Sequence, residues 1–186
     1  MEALIAIAAI VIVILVVWVV VARNNLVTTE NLVTQSWRLI DVELQRRHDL
    51  IPNLVRVVEA YTQYERAAIE ALTTARSAAM AAQPIGQRGV AEQGLGVAVD
   101  TVLARSEAYP QLRADEQFID LQRELVETEN RLAASRRIYN SNVRELDIAL
   151  ESFPSSIIGS LMHMSPAEYF SVTETVQPNG SALPGM

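Results

Sequence analysis

The sequence predicts an all-α protein: an N-terminal transmembrane helix followed by an elongated antiparallel bundle of three long helices and a short C-terminal helix. Three observations lead to this class. Residues 3–22 form an unbroken apolar run. Beyond it, apolar side chains recur at alternating spacings of three and four, the seam of helices packed side by side. The palette is dominated by Ala, Val, Leu and Arg with only 5% aromatic residues, which suits helices because small and unbranched side chains lose little rotamer freedom there.

The apolar run, ALIAIAAIVIVILVVWVVVA, has 20 residues. At ~1.5 Å per residue it matches the ~30 Å hydrocarbon core of a bilayer. Glu2 and Arg23 bracket it, and Trp18 lies near the end where an interfacial aromatic belongs. A cleaved signal peptide would carry a basic leader and a shorter apolar stretch, whereas this segment starts Met-Glu and ends Val-Val-Val-Ala-Arg. A buried core helix would show a polar face, and none exists here. Arg23 and Arg38 follow the run and no Lys or Arg precedes it, so the expected orientation is N-terminus outside and bundle in the cytoplasm.

The first bundle helix is expected over residues 26–80. Val33, Trp37, Ile40, Leu44, Arg47, Ile51, Leu54, Val58, Tyr61, Glu65, Ala68, Leu72, Ala75 and Ala79 form its seam, with Arg47 and Glu65 as polar interruptions. Pro52 removes a backbone donor inside this pattern, so a kink is expected near residues 49–51 while the helix continues. Residues 83–89 (QPIGQRG) read as a turn. A shorter helix follows over 90–108, with Leu95, Val99, Val102 and Leu103 on one face. Its Gly94 and Gly96 either weaken it or admit a close neighbour. Tyr109-Pro110 ends it. The third long helix spans 114–152, with acidic Asp115 and Glu116 at its positive end and Phe153-Pro154 closing it. A short apolar helix is expected over 155–162. The resulting organisation is an anchor at 1–23, a bundle at 24–160, a short extension at 161–176, and a turn-rich tail at 177–186 expected to be disordered.

Composition narrows the function. There are no cysteines, which excludes disulfides and thiolate metal sites. The net charge is −7 with both signs mixed along the chain, and all 15 basic residues are Arg, with no Lys. Such a chain is a poor ligand for nucleic-acid phosphate, which requires clustered positive charge. His48 and His163 are the sole histidines and have no zinc-ligand spacing around them. No phosphate-binding Gly loop and no nucleophile elbow occurs. No enzyme site, metal or cofactor is therefore expected.

The stretch Ser36-Trp37-Arg38-Leu39-Ile40-Asp41-Val42-Glu43-Leu44-Gln45-Arg46-Arg47-His48-Asp49-Leu50-Ile51-Pro52-Asn53-Leu54-Val55 resembles the central signature of the LemA family. Glu107-Ala108-Tyr109-Pro110-Gln111-Leu112-Arg113-Ala114 with Phe118 and Leu121-Gln122 is similar to its second block. Glu129, Ser135-Arg136-Arg137-Ile138-Tyr139-Asn140, Val143 and Phe153-Pro154 are similar to its third. Tyr64, Leu146-Asp147 and the segment after Gly159 depart from the family pattern. The resemblance implies a membrane helix followed by a soluble helical bundle, mostly in the bacterial cytoplasm. It carries no catalytic residues. It also implies two associations, with membrane organisation and with membrane zinc metalloproteases.

The densest polar group is Asp41, Arg46, Arg47, Asp49 and Asn53, flanking Pro52. The pairs Arg38–Asp41 and Arg46–Asp49 are three apart and able to meet on a helix. Arg47 lies on the apolar seam and needs a buried partner, for which Glu65 and Glu129 are the candidates. Arg136 completes the candidate set. Two readings stand: a patch that binds a partner at the proline kink, or an internal ion-pair network that sets helix register. The expected function is a single-pass, membrane-anchored helical scaffold or adaptor at the bacterial inner membrane, in contact with the bilayer through residues 3–22, with other envelope proteins and with copies of itself. The alternative is a regulatory partner of a membrane zinc metalloprotease.

Overall fold

The computed structural model describes residues 1–61 and 66–171. Tyr64, Glu65 and the tail at 177–186, on which three of the expectations above fall, lie outside these residues. The all-α class holds: six helices and no strand occur among the described residues. They are α1 (Glu2–Glu59), α2 (Arg66–Ala81), α3 (Ile85–Ser106), α4 (Pro110–Arg113), α5 (Glu116–Glu151) and α6 (Ser155–Leu161).

The apolar run and the first bundle helix are one continuous helix. The 58 residues of α1 extend about 87 Å at the standard rise. Its N-terminal part, long and apolar enough to cross a membrane, is exposed, and burial begins at Leu26. Pro52 lies within the helix, which passes it without interruption. The helix ends seven residues later, after Glu59. The span 26–80, expected as one helix, is therefore two, and the bundle has four long segments rather than three.

The pairing of side chains fixes the topology. Asn142 Nδ2 donates to Leu32 O and Arg47 meets Glu129, so α5 runs antiparallel to α1. Asp41 pairs with Arg88 and His48 with Glu92, so α3 runs parallel to α1. Helix α2 runs the other way and is joined to α3 by residues 82–84, a turn shorter than the expected 83–89. Gly89 is thus helical, and it is needed there: a Cβ at this position would stand 2.6 Å from the Ser171 carbonyl oxygen.

At the far end of the bundle, Asp115 caps α5. Its Oδ1 accepts from the backbone N–H groups of Gln117 at 2.8 Å and Phe118 at 3.1 Å. Its Oδ2 accepts from the Tyr61 hydroxyl at 2.8 Å, just beyond the end of α1. The Tyr61 hydrogen bond and the two backbone bonds hold the Asp115 carboxyl below the usual carboxylate range.

The extension after α6 is structural. Residues 163–171 run back along the bundle as a strap. Asn140 Nδ2 donates to Phe170 O at 3.2 Å, and Phe170 N donates to Asn140 Oδ1 at 3.0 Å, a reciprocal pair that mimics a strand ladder. The Tyr139 hydroxyl donates to Glu168 O at 2.7 Å, and burial pushes its pKa up. Phe170 is fully buried and meets Trp37 edge-on at 5.4 Å, as does Tyr139. The pair Tyr139-Asn140 is therefore the dock for the strap. Replacing Phe170 with Ala empties this site, and urea denaturation of the full-length protein in mild detergent is expected to show a loss of about 3–5 kcal/mol.

Candidate functional site

The buried apolar residues form two clusters rather than one. The cluster nearer the apolar run contains Val33, Ile40, Leu44, Leu132, Tyr139, Val143, Leu146 and Phe170. The distal one contains Leu50, Ile51, Leu54, Val58, Leu72, Leu95, Val99, Val102, Phe118 and Leu125 among others. On α1 the boundary falls between Leu44 and Leu50, and on α5 between Leu132 and Leu125. Arg47, His48, Thr128 and Glu129 occupy that boundary.

This layer is polar and buried. Glu92 of α3 is 1% exposed, His48 2% and Arg47 8%. His48 Nε2 lies 2.6 Å from Glu92 Oε1. A carboxylate oxygen only accepts, so Nε2 carries the hydrogen in this contact. Glu92 Oε2 makes no hydrogen bond among the described residues, and the Arg47 guanidinium faces it at 3.6 Å. The other arm of Arg47 reaches Glu129 Oε2 at 3.3 Å, where the carboxylate is half exposed. Gly96 makes room for this arm, because a Cβ there would be 3.0 Å from Arg47 Nη2.

The same layer explains Pro52. A helical residue at 52 would donate its N–H to the carbonyl of residue 48, and proline has no N–H. Arg76 of α2 supplies the missing donor: its Nε lies 2.8 Å from His48 O. His48 thus bonds α3 through its ring and α2 through its carbonyl, while Arg47 beside it bonds α3 and α5. All four long segments are tied at one level.

The predicted cluster divides in two. Arg47 and Glu129 meet, but Glu129 is half exposed, and the buried carboxylate facing Arg47 is Glu92. Asp41, Asp49 and Asn53 lie on the outside of α1, Arg46 is half-buried at its flank, and Arg136 is half-buried on α5. Asp41 pairs with Arg88 at 2.6 Å instead of Arg38, and Arg88 also covers the Trp37 ring at 5.6 Å. Asp49 accepts from Gln45 Nε2 at 2.8 Å, and Arg46 forms no ion pair with it among the described residues. The polar residues around Pro52 point in different directions because successive helical positions are about 100° apart. Only those on the seam converge.

Sequence reasoning missed Glu92, His48 and Arg76. Glu92 had a readable signal: it lies three residues before Leu95 and seven before Val99, a seam position of α3. Arg76 had none, because its partner is a main-chain carbonyl. A concavity of about 270 Å³ opens beside the layer, lined by Arg47, Gly96, Asp100, Val126, Glu129 and Asn130 among others. No group of His, Asp and Glu that could hold a metal occurs among the described residues.

The LemA family model matches residues 36–180, which include every member of this layer and the described part of the strap. Two curated relatives, the magnetosome proteins MamQ 1 and MamQ 2 of Paramagnetospirillum magneticum, are each 26% identical over 175 residues, covering 80% of this chain. This chain spans 64% of the length of those relatives.

Four outcomes are expected in urea denaturation of the full-length protein. Arg47→Ala leaves Glu92 Oε2 buried with no guanidinium facing it and costs about 3–5 kcal/mol, whereas replacing Arg47, His48 and Glu92 together with Leu is neutral or stabilising. Arg76→Met orphans the His48 carbonyl and costs about 1–3 kcal/mol. In a Pro52→Ala background that cost falls towards zero, because the alanine restores the missing N–H donor.

Proposed function

This chain belongs to the LemA family, and we propose that it is a single-pass membrane scaffold whose helical bundle works through protein–protein contacts, first of all with copies of itself. One observation carries the reading. Three helices leave apolar side chains in solvent at a spacing of seven: Leu32 and Leu39 on α1, Val90 and Val97 on α3, Ile119 and Val126 on α5. Each helix thus carries one outward pair of apolar side chains a heptad apart, in addition to its inward seam. A seven-residue apolar repeat is the pattern by which helices pack on other helices. A bundle with no role beyond folding gains nothing by exposing it.

The polar layer supports the same reading. It pins four helices in one register, so the outward pairs keep fixed relative positions. A rigid, elongated surface suits a contact platform, and its chemistry is that of packing rather than catalysis. Residues 3–22 cross the membrane in this scheme, and the arginines at 23 and 38 favour a bundle in the cytoplasm of a bacterium, at its inner membrane.

Light scattering coupled to size exclusion in mild detergent tests the proposal on the full-length protein. The expected mass is a multiple of the 20.5 kDa chain that persists on dilution. Combining Leu39→Glu, Val97→Glu and Val126→Glu is expected to return it to a single chain while the far-ultraviolet circular dichroism stays unchanged. A single-chain mass for the unaltered protein would refute self-assembly.

A further inference from the structure

Helix α6 has two unlike faces, and only one is explained by the bundle. Ile158 and Gly159 are buried against α1 and the end of α5. Gly159 permits the close fit, since a Cβ there would stand 2.7 Å from Leu150 Cδ2 and 4.0 Å from Leu26 Cδ1. The opposite face carries Ile157 and Leu161, four apart and exposed by 54% and 74%, and Phe153, in the turn just before the helix, is exposed by 81%. No Asp, Glu, Lys or Arg occurs from Ser152 to Ala167. A solvated helix face of this length ordinarily carries charge.

The position of α6 along α1 supplies the reason. A concavity of about 290 Å³ is lined jointly by Trp18, Val21, Ala22 and Leu26 of α1 and by Pro154 and Ser155 at the start of α6. Leu26, which α6 covers, lies four residues beyond the apolar run, a rise of about 6 Å. The interfacial layer of a bilayer is roughly 5–8 Å deep on each side of its hydrocarbon core. Helix α6 therefore lies at the depth of the lipid headgroups, with its apolar face turned away from the protein.

We propose that the Ile157–Leu161 face of α6, with Phe153 in the turn before it, inserts into the lipid interface of the membrane that α1 crosses, giving the bundle a second attachment. The inference rests on the reading of residues 3–22 as a span. A span alone leaves the bundle free to rotate and tilt about one helix. A second apolar contact, displaced from the α1 axis, fixes which face of the bundle meets the membrane surface and which faces point away. Uncharged side chains and an amphipathic turn are the chemistry of lipid insertion, and the start of α6 borders the end of the apolar run through the concavity at Trp18 and Val21.

The chain has no cysteine, so single-cysteine variants report one site each. Ile12→Cys, Gln122→Cys, Ile157→Cys and Leu161→Cys would be labelled with an environment-sensitive fluorophore and the full-length protein reconstituted into phosphatidylcholine vesicles. Lipids bearing a nitroxide near the headgroup or deep in the chains serve as quenchers. The expected result is that labels at 157 and 161 lose roughly half or more of their emission to the shallow quencher, while the label at 122 is untouched. Labels at 157 and 161 that behave like the one at 122, or that are shielded from lipid and from aqueous quencher alike as a second protein copy would shield them, overturn the proposal. The label at 12 distinguishes the span from the α6 contact. Quenched by the deep lipid, it leaves the span standing whatever α6 does. Unquenched, it removes the span and this inference with it.

Discussion

The bundle depends on a single buried carboxylate. Glu92 is almost wholly removed from water and faces two basic side chains from successive positions of α1, Arg47 and His48. An ionised carboxylate at such a depth is tolerable only with its charge and hydrogen-bonding capacity answered. That requirement brings α3 to one height on α1. It is reinforced by Arg76, which answers the carbonyl that Pro52 leaves open. An apolar seam alone permits sliding by one heptad, because every seventh residue offers an equivalent contact. The polar layer has one solution. It divides the interior into two apolar clusters and aligns both.

The two ends of the bundle are closed by different means. At the distal end, Tyr61 and the α5 cap share Asp115. At the end nearer the apolar run, the strap and α6 close the interior, with Phe170 completing an aromatic group around Trp37. Asn140 holds the strap through main-chain bonds, so its hold does not depend on the side chain it fastens. The LemA family match at residues 36–180 covers both the layer and the described part of the strap.

Part of the candidate site was legible in the sequence and part was not, for definite reasons. Arg47 announced itself as a charge on an apolar seam, and the demand for a partner led to Glu129, which it does meet, although at the half-exposed edge of the layer. The same logic, carried one step back along α3, reaches Glu92. Asp41, Arg46, Asp49 and Asn53 are close in the chain but fan out around α1, because nearness in sequence is not nearness in direction on a helix. The end of α1 after Glu59 left no mark in the periodicity. The seam continues in phase through Tyr61 and Ala68, since α1 and α2 bury the same stripe whether the chain runs straight or turns back.

Period and composition are local properties, and they decide the local outcome: helix rather than strand, an apolar span of bilayer length, the faces that each helix buries. Connectivity, partner and register are not local. A heptad stripe states that a helix must be covered and leaves open what covers it. The division of α1 from α2, the strap over Trp37 and the meeting of His48, Arg76 and Glu92 are decided only when the chain is folded, because each depends on groups dozens of residues apart finding one another. Directional interactions of that kind have no periodic trace, and they are what turn a set of amphipathic helices into one structure.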